Sequence, residues 1–223
     1  MKIKAIITGV TGMVGEGVLH ECLQHADVER VLIVGRKPSG ITHPKISEIV
    51  HADLYDLTPI EDRLSGYNAC FFCLGTTSVG KNEADYYAVT YTLTLHVAGI
   101  LSRHNPDMTF CYISGAGTDS SEKGRLAWAR IKGKTENDLM KLPFKRVYNF
   151  RPGYIQPTKG LRNTLSFYRY IAWLYPVFKL LFPKHVSTLR ELATAMINAA
   201  VTGYDKAVLE VPDILKLAKT KPY

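Results

Sequence analysis

The chain has 223 residues, 46% hydrophobic and 22% charged, enough to close a full core without disulfides or metal and too apolar for whole-chain disorder. Its formal net charge is +8, which suits a dinucleotide phosphate, a nucleotide-linked substrate, nucleic acid or an acidic membrane and does not choose among them. Of four cysteines, three sit in apolar, strand-like runs, which fits reduced core thiols rather than a disulfide scaffold.

Met1-Lys2-Ile3-Lys4 leads straight into an apolar strand, 4–8, with no secretory leader, so a cytoplasmic location is expected. A glycine-rich turn follows, and then 13–26 places Val14, Val18, Leu19, Leu23 and Ala26 at helical spacing. Strands are predicted over 30–34, 46–50 and 68–74, closed by Gly35-Arg36-Lys37, His51-Ala52-Asp53 and Gly75-Thr76-Thr77. Cys70 and Cys73 have C-x-x-C spacing, but residues three apart on a strand face opposite sides, so neither a redox pair nor a metal site is expected. A helix over 84–104, a strand over 108–113 ending in Ser114-Gly115-Ala116-Gly117, a helix over 122–140 and a strand over 146–150 ending in Arg151-Pro152-Gly153 continue the alternation. A helix over 188–201 and a short strand over 207–211 complete it. Strands alternating with helices imply a doubly wound α/β fold on a parallel sheet, with no linker dividing residues 1–223.

Residues 166–182 break the pattern with Phe167, Tyr168, Tyr170, Trp173, Tyr175, Phe178 and Phe182, interrupted by Arg169, Pro176 and Lys179. Those breaks exclude a membrane span. They leave a cover over a substrate pocket within 154–190, an oligomer interface or membrane-surface docking. The tail Lys216-Leu217-Ala218-Lys219-Thr220-Lys221 reads as a solvated terminus, and no specific nucleic-acid contact is expected. The seven histidines show no zinc-ligand spacing, and Tyr112 stands where a nucleophile elbow around Ser114 would need glycine, so neither a metal nor hydrolase chemistry is expected.

The segment Thr8-Gly9-Val10-Thr11-Gly12-Met13-Val14-Gly15 carries the strongest signal. Between a first strand and a helix, glycines at 9, 12 and 15 let the backbone turn sharply and approach a pyrophosphate, while the helix N-terminus presents free N–H groups to it. At the end of the second strand an NAD site carries an acid for the ribose 2′-hydroxyl, whereas a 2′-phosphate calls for a base. Arg36 and Lys37 stand there with no acid, so NADP(H) is expected over NAD(H). Asp53, beside Leu54, is read either as an adenine contact or as a cap for the next turn. Leu74, Gly75 and Thr76 fall where the chain passes the nicotinamide ribose.

These motifs, with Tyr112-Ile113-Ser114, Lys132-Gly133 and Phe150-Arg151-Pro152-Gly153, resemble an atypical or extended short-chain dehydrogenase/reductase of Rossmann fold along nearly the whole chain. The Cys73-Leu74-Gly75-Thr76-Thr77 run and Phe-Arg-Pro-Gly look most like the Tat-interacting-protein, oxidoreductase-like branch and its bacterial nucleoside-diphosphate-sugar epimerase-like relatives. The resemblance implies a small C-terminal substrate-covering region and cofactor contacts that include Lys132, Pro152 and Gly153. It also implies a catalytic Ser114 and Lys132 with a tyrosine four residues before the lysine, all acting on a small-molecule substrate. That position holds Trp128, whose indole cannot exchange a proton near neutral pH. Three readings stand open: an oxidoreductase or epimerase-like enzyme whose acid is Tyr87, Tyr91 or Tyr154; slow chemistry with Ser114, Lys132 and water; or a cofactor-binding protein without turnover, serving redox sensing or protein interaction. Monomer and homodimer are both open.

Overall fold

The computed structural model describes residues 2–164 and 175–220. Seven strands form one parallel sheet: β1 (Ile3–Thr8), β2 (Val28–Gly35), β3 (Ile46–Val50), β4 (Ala69–Phe72), β5 (Thr109–Ile113), β6 (Arg146–Arg151) and β9 (Val208–Glu210), in the order β3-β2-β1-β4-β5-β6-β9. A second parallel pair, β7 (Tyr154–Gln156) and β8 (Val186–Thr188), sits beside it. The helices are α1 (Met13–Gln24), α2 (Glu83–Tyr87), α3 (Leu93–His104), α4 (Ala127–Leu139), α5 (Tyr175–Leu181), α6 (Leu189–Thr202) and α7 (Val211–Ala218). The expected doubly wound α/β architecture is the one observed.

Alternation along the strands divides the core in two. Ile3, Ala5, Ile7, Ile33 and Phe71 pack with residues of α1, α6 and α7 on one face. Ile6, Leu32, Val34, Phe72 and Phe110 pack with Val97 and Leu101 of α3 on the other. Cys70 lies in the second cluster and Cys73 against the first, so this pair is split across the sheet as its spacing predicts. Burial holds the Cys70 thiol well above its ordinary range and pushes Cys73 up to about 12, which leaves both unreactive.

Three sequence expectations are revised and one pair of strands is added. The helix expected over 84–104 is α2 and α3 joined through a π turn at Ala88–Thr92. The helix expected from Glu122 starts at Ala127, because the Asp119 carboxylate accepts from the backbone N–H groups of Ser121 and Gly124 and holds the preceding residues in a turn. The tail 216–221, read as a solvated terminus, begins in the last turn of α7: Lys216, Lys219 and Thr220 are exposed, while Leu217 is buried and Asn198 donates to the carbonyls of Leu217 and Thr220. The β7–β8 pair, three residues per strand, is too short to show in sequence periodicity. Phe167, Tyr168, Arg169, Tyr170, Trp173 and Lys221 lie outside the described residues.

Candidate functional site

All seven strands of the main sheet run parallel, so the loops after β1 to β6 meet at one edge. β1 lies between β2 and β4, and the crevice forms where the chain reverses its winding there. The glycine turn sits in that crevice. Gly9 has φ +72, and a Cβ on it would stand 2.5 Å from the Cys73 carbonyl oxygen. A Cβ on Gly15 would overlap the Gly9 carbonyl, so these two glycines let β1, β4 and α1 converge. Gly12 differs: its backbone is extended, and a Cβ there would meet only the Gly9 oxygen at 3.4 Å, with open space beyond. Gly12 caps α1 with no side-chain hydrogen bond, leaving the helix N-terminus free to receive an anion.

A cavity of about 520 Å³ opens above this turn, lined by Gly9, Val10, Thr11, Gly12, Gly35, Arg36, Lys37, Cys73, Leu74 and Gly75. A second, of about 410 Å³, is lined by Ala52, Asp53, Leu54, Tyr55, Thr76, Lys81, Val89 and Leu93. Arg36, Leu74 and Gly75 line both, so the two form one groove. Thr8 is buried beneath it and accepts a hydrogen bond from the Leu74 amide at 3.3 Å, tying the β1 and β4 ends together. Met13 and Val14 pack into the core behind the turn. The Asp53 carboxylate accepts from the Tyr55 amide at 2.8 Å, so it shapes the turn while facing the second cavity. Tyr55, Lys81 and Val89 escaped sequence reading, because nothing in their spacing links segments 40 to 74 residues beyond Gly15 to its groove.

A second cluster gathers at the ends of β5 and β6. The Lys132 ammonium donates to the Ser114 carbonyl, and the Ser114 hydroxyl donates to the Phe150 carbonyl at 3.1 Å. The Ala116 amide donates to the Pro152 carbonyl at 2.8 Å, joining the two loops. Gly117, at φ +84, lies under the Trp128 ring, where a Cβ would stand 3.3 Å from it. Ser114, Lys132, Trp128 and Pro152 are thus brought together, as their motifs implied. Gly153 serves packing: a Cβ there would overlap the His185 carbonyl at the entry to β8.

Burial lowers Lys132 to about 8, opposed by the carboxylate of Glu136 one helical turn on. Glu136 is fully buried and accepts two hydrogen bonds from Arg151, at 3.0 and 2.5 Å. Arg151 also reaches Ser120 and Glu210, so this pair pins α4 to the β6 end.

The burial of Lys132 makes stability depend on pH. Between about pH 8 and its ordinary value of 10.5, the unfolded chain keeps a proton that the folded chain has lost, so stability rises with pH across that window. Below about 8 both states are protonated and the burial penalty is complete. Thermal melts from pH 7 to 10.5 are expected to show this rise in the wild type and a smaller one in Lys132→Met; equal slopes contradict the assignment.

The three tyrosines considered as relocated acids separate. Tyr91 donates to Asp138 at 2.8 Å, lies under Lys134 and packs on Tyr87 with ring centroids 4.7 Å apart. Positions 134 and 138 are on the side of α4 away from 132, so Tyr87 and Tyr91 belong to another surface. Tyr154 follows Pro152-Gly153 directly, donates to Gln156 at 3.0 Å and packs on Tyr175 and Phe178.

Residues 5–125 match the model of the NAD dependent epimerase/dehydratase family. The chain is 27% identical over 170 residues to protein FMP52-1, mitochondrial, of Scheffersomyces stipitis, covering 74% of each. It is 27% identical over 169 residues to protein FMP52, mitochondrial, of Debaryomyces hansenii, covering 73% of each. Its fold is similar to that of the Bordetella bronchiseptica enzyme WbmF, solved in complex with NAD+, with a TM-score of 0.66 at 16% identity over 97% of this chain and 76% of that one. The mitochondrial names correct the expected cytoplasmic location. That expectation tested the opening residues only for a secretory leader, whose signature differs from that of an organelle-import segment. Among the described residues no helix is long and apolar enough to cross a membrane.

Proposed function

Because the chain belongs to the NAD dependent epimerase/dehydratase family, we propose that it holds NADP(H) in the groove over the glycine turn, as a short-chain dehydrogenase/reductase-like protein nearest the Tat-interacting-protein branch. In this reading residues 1–223 form one domain, with 154–190 as the substrate-side cover. The observation that carries it is Arg36, which lines both halves of the groove beside Lys37 where an NAD site would place an acid. The groove fits the group: Gly12 leaves open space at an uncapped helix N-terminus, and Asp53 and Leu54 line the distal cavity. A guanidinium on a phosphate is a charge-assisted contact of about 1.5–3 kcal/mol. Arg36→Ala is therefore expected to weaken NADPH binding about tenfold or more and leave NADH binding nearly unchanged. Equal losses for both cofactors, or none, would count against the assignment.

A bound nicotinamide supplies hydride exchange, and the protein's part is then to position substrate and move a proton. In this reading that part would fall to Ser114 and Lys132, but the Ser114 hydroxyl is committed to Phe150 and the position four before Lys132 holds Trp128. The geometry therefore supports a cofactor-holding protein whose proton-transfer apparatus is incomplete, in a redox-sensing or interaction role. The second reading, an oxidoreductase or nucleotide-sugar epimerase-like enzyme, is favoured by Tyr154, which follows the Pro152-Gly153 loop. NADPH with a panel of aldehydes, quinones and nucleotide sugars separates the two. No oxidation by the wild type and activity gained in Trp128→Tyr is the expected result. Robust wild-type turnover that Tyr154→Phe abolishes selects the second reading.

A further inference from the structure

Helix α5 has no fully buried residue. Its two faces differ sharply. Tyr175 and Phe178 pack on the Tyr154 ring, with centroids 6.4 and 5.9 Å away. On the opposite side Val177, Leu180 and Leu181 are 47%, 81% and 62% exposed, and Phe182, just past the helix end, is 53% exposed. Val50, Tyr55, Val79, Leu126 and Met140, the other exposed large apolar residues among the described residues, are scattered singly along the chain. Scattered apolar residues are ordinary on a protein surface, whereas four within six positions form a ridge.

The charge beside this ridge is positive. The chain continues from Phe182 through Pro183 to Lys184, which lines a shallow cavity of about 570 Å³ with Pro212, Leu215, Lys216 and Lys219. Lys184, Lys216 and Lys219 enter no ion pair among the described residues, while the neighbouring acids are engaged: Glu191 lies 3.9 Å from Lys179 and Asp213 2.7 Å from Lys206. An apolar ridge beside lysines that form no ion pair, of which Lys216 lies over the Tyr204 ring at 5.8 Å, is complementary to a surface that is apolar inside and anionic at its face. A second copy of this chain fits less well, because a two-fold contact across the ridge would bring the same lysines toward each other. A seven-residue helix is too short to span a bilayer but can lie at its interface, where apolar insertion and electrostatic attraction act together.

We propose that the ridge Val177–Phe182, with Lys184, Lys216 and Lys219 beside it, docks the protein on an anionic phospholipid surface. This goes beyond cofactor binding and does not depend on it.

Flotation of the full chain with phosphatidylcholine vesicles, with and without phosphatidylglycerol, tests the proposal. Binding is expected only to the anionic vesicles and is expected to weaken as salt is raised. Leu180→Ser/Phe182→Ser should reduce it about tenfold or more through lost insertion. Lys216→Glu/Lys219→Glu should reduce it at least as much, through lost attraction to the anionic face. These side chains are exposed, so both double variants should melt with the wild type, and the melts exclude loss of fold as the cause. Absence of binding, equal binding to neutral vesicles, or binding unchanged in the folded variants overturns the proposal. So does a lipid-free dimer that Leu180→Ser/Phe182→Ser converts to monomer, since a second copy would then cover the ridge.

Discussion

Gly12→Ala is expected to fold normally and to lose NADPH, whereas Gly15→Ala is expected to destabilise the fold. The three glycines of the turn look alike in sequence, but their surroundings differ. At Gly12 the backbone has φ −108 and ψ 163, which alanine adopts freely, and the added methyl meets only the Gly9 oxygen at 3.4 Å. Stability should therefore change by less than about 0.5 kcal/mol. That methyl also narrows the groove where backbone and pyrophosphate must approach, so affinity should fall at least tenfold, or about 1.4 kcal/mol. At Gly15 the methyl would overlap the Gly9 carbonyl, a backbone atom that no side-chain rotation can move away. Overpacking of this kind costs about 1–3 kcal/mol, and a backbone–backbone overlap belongs at the upper end. Melting curves with NADPH titrations on both variants check the pair. Wild-type affinity in Gly12→Ala would show that the turn does not hold the phosphates.

Glu136→Ala is expected to destabilise the protein by about 3–5 kcal/mol, the usual cost of removing one partner of a buried ion pair. Glu136 is fully buried, and the side chain of Arg151 is only 11% exposed. The variant strands a guanidinium whose remaining partners are Ser120 and the half-exposed Glu210. The pair is the joint between α4 and the β6 end, so its loss also frees the helical turn that carries Lys132. Glu136→Leu/Arg151→Met removes both charges together and should recover most of the loss, because no uncompensated ion remains. Denaturant titration of the two single variants and the double variant gives the coupling directly. A cost below about 1 kcal/mol for Glu136→Ala would mean that water reaches Arg151 freely.

The parallel sheet was legible because each of its first six strands is a short β-branched or aromatic run closed by a polar or glycine turn. The glycine turn was legible because strand, glycines and helix are contiguous. What stayed hidden was long-range. Asp119, seventeen residues before the Arg151 partner Glu136 is reached along α4 and its entry loop, delays that helix through hydrogen bonds of its own side chain. Glu136 reads as one more surface charge on a helix until β6 places Arg151 against it. The lysines of 216–221 mask an apolar stripe at 211, 214 and 217, and the stripe appears only when α6 packs on it. At the site, Ser114 and Lys132 could be placed from their motifs. The hydroxyl's commitment to Phe150 could not, since a strand partner's carbonyl is invisible to local pattern.

Equilibrium titration of the wild-type chain with NADPH and NADH, followed by quenching of tryptophan fluorescence, tests the central claim most directly. Trp128 lies over Gly117 in the loop that leads on from Ser114, so its emission reports on that region. The groove with Arg36 on its wall predicts saturable binding of NADPH, tighter than that of NADH by about tenfold or more. Tighter binding of NADH, or no saturable binding of either cofactor, would contradict it.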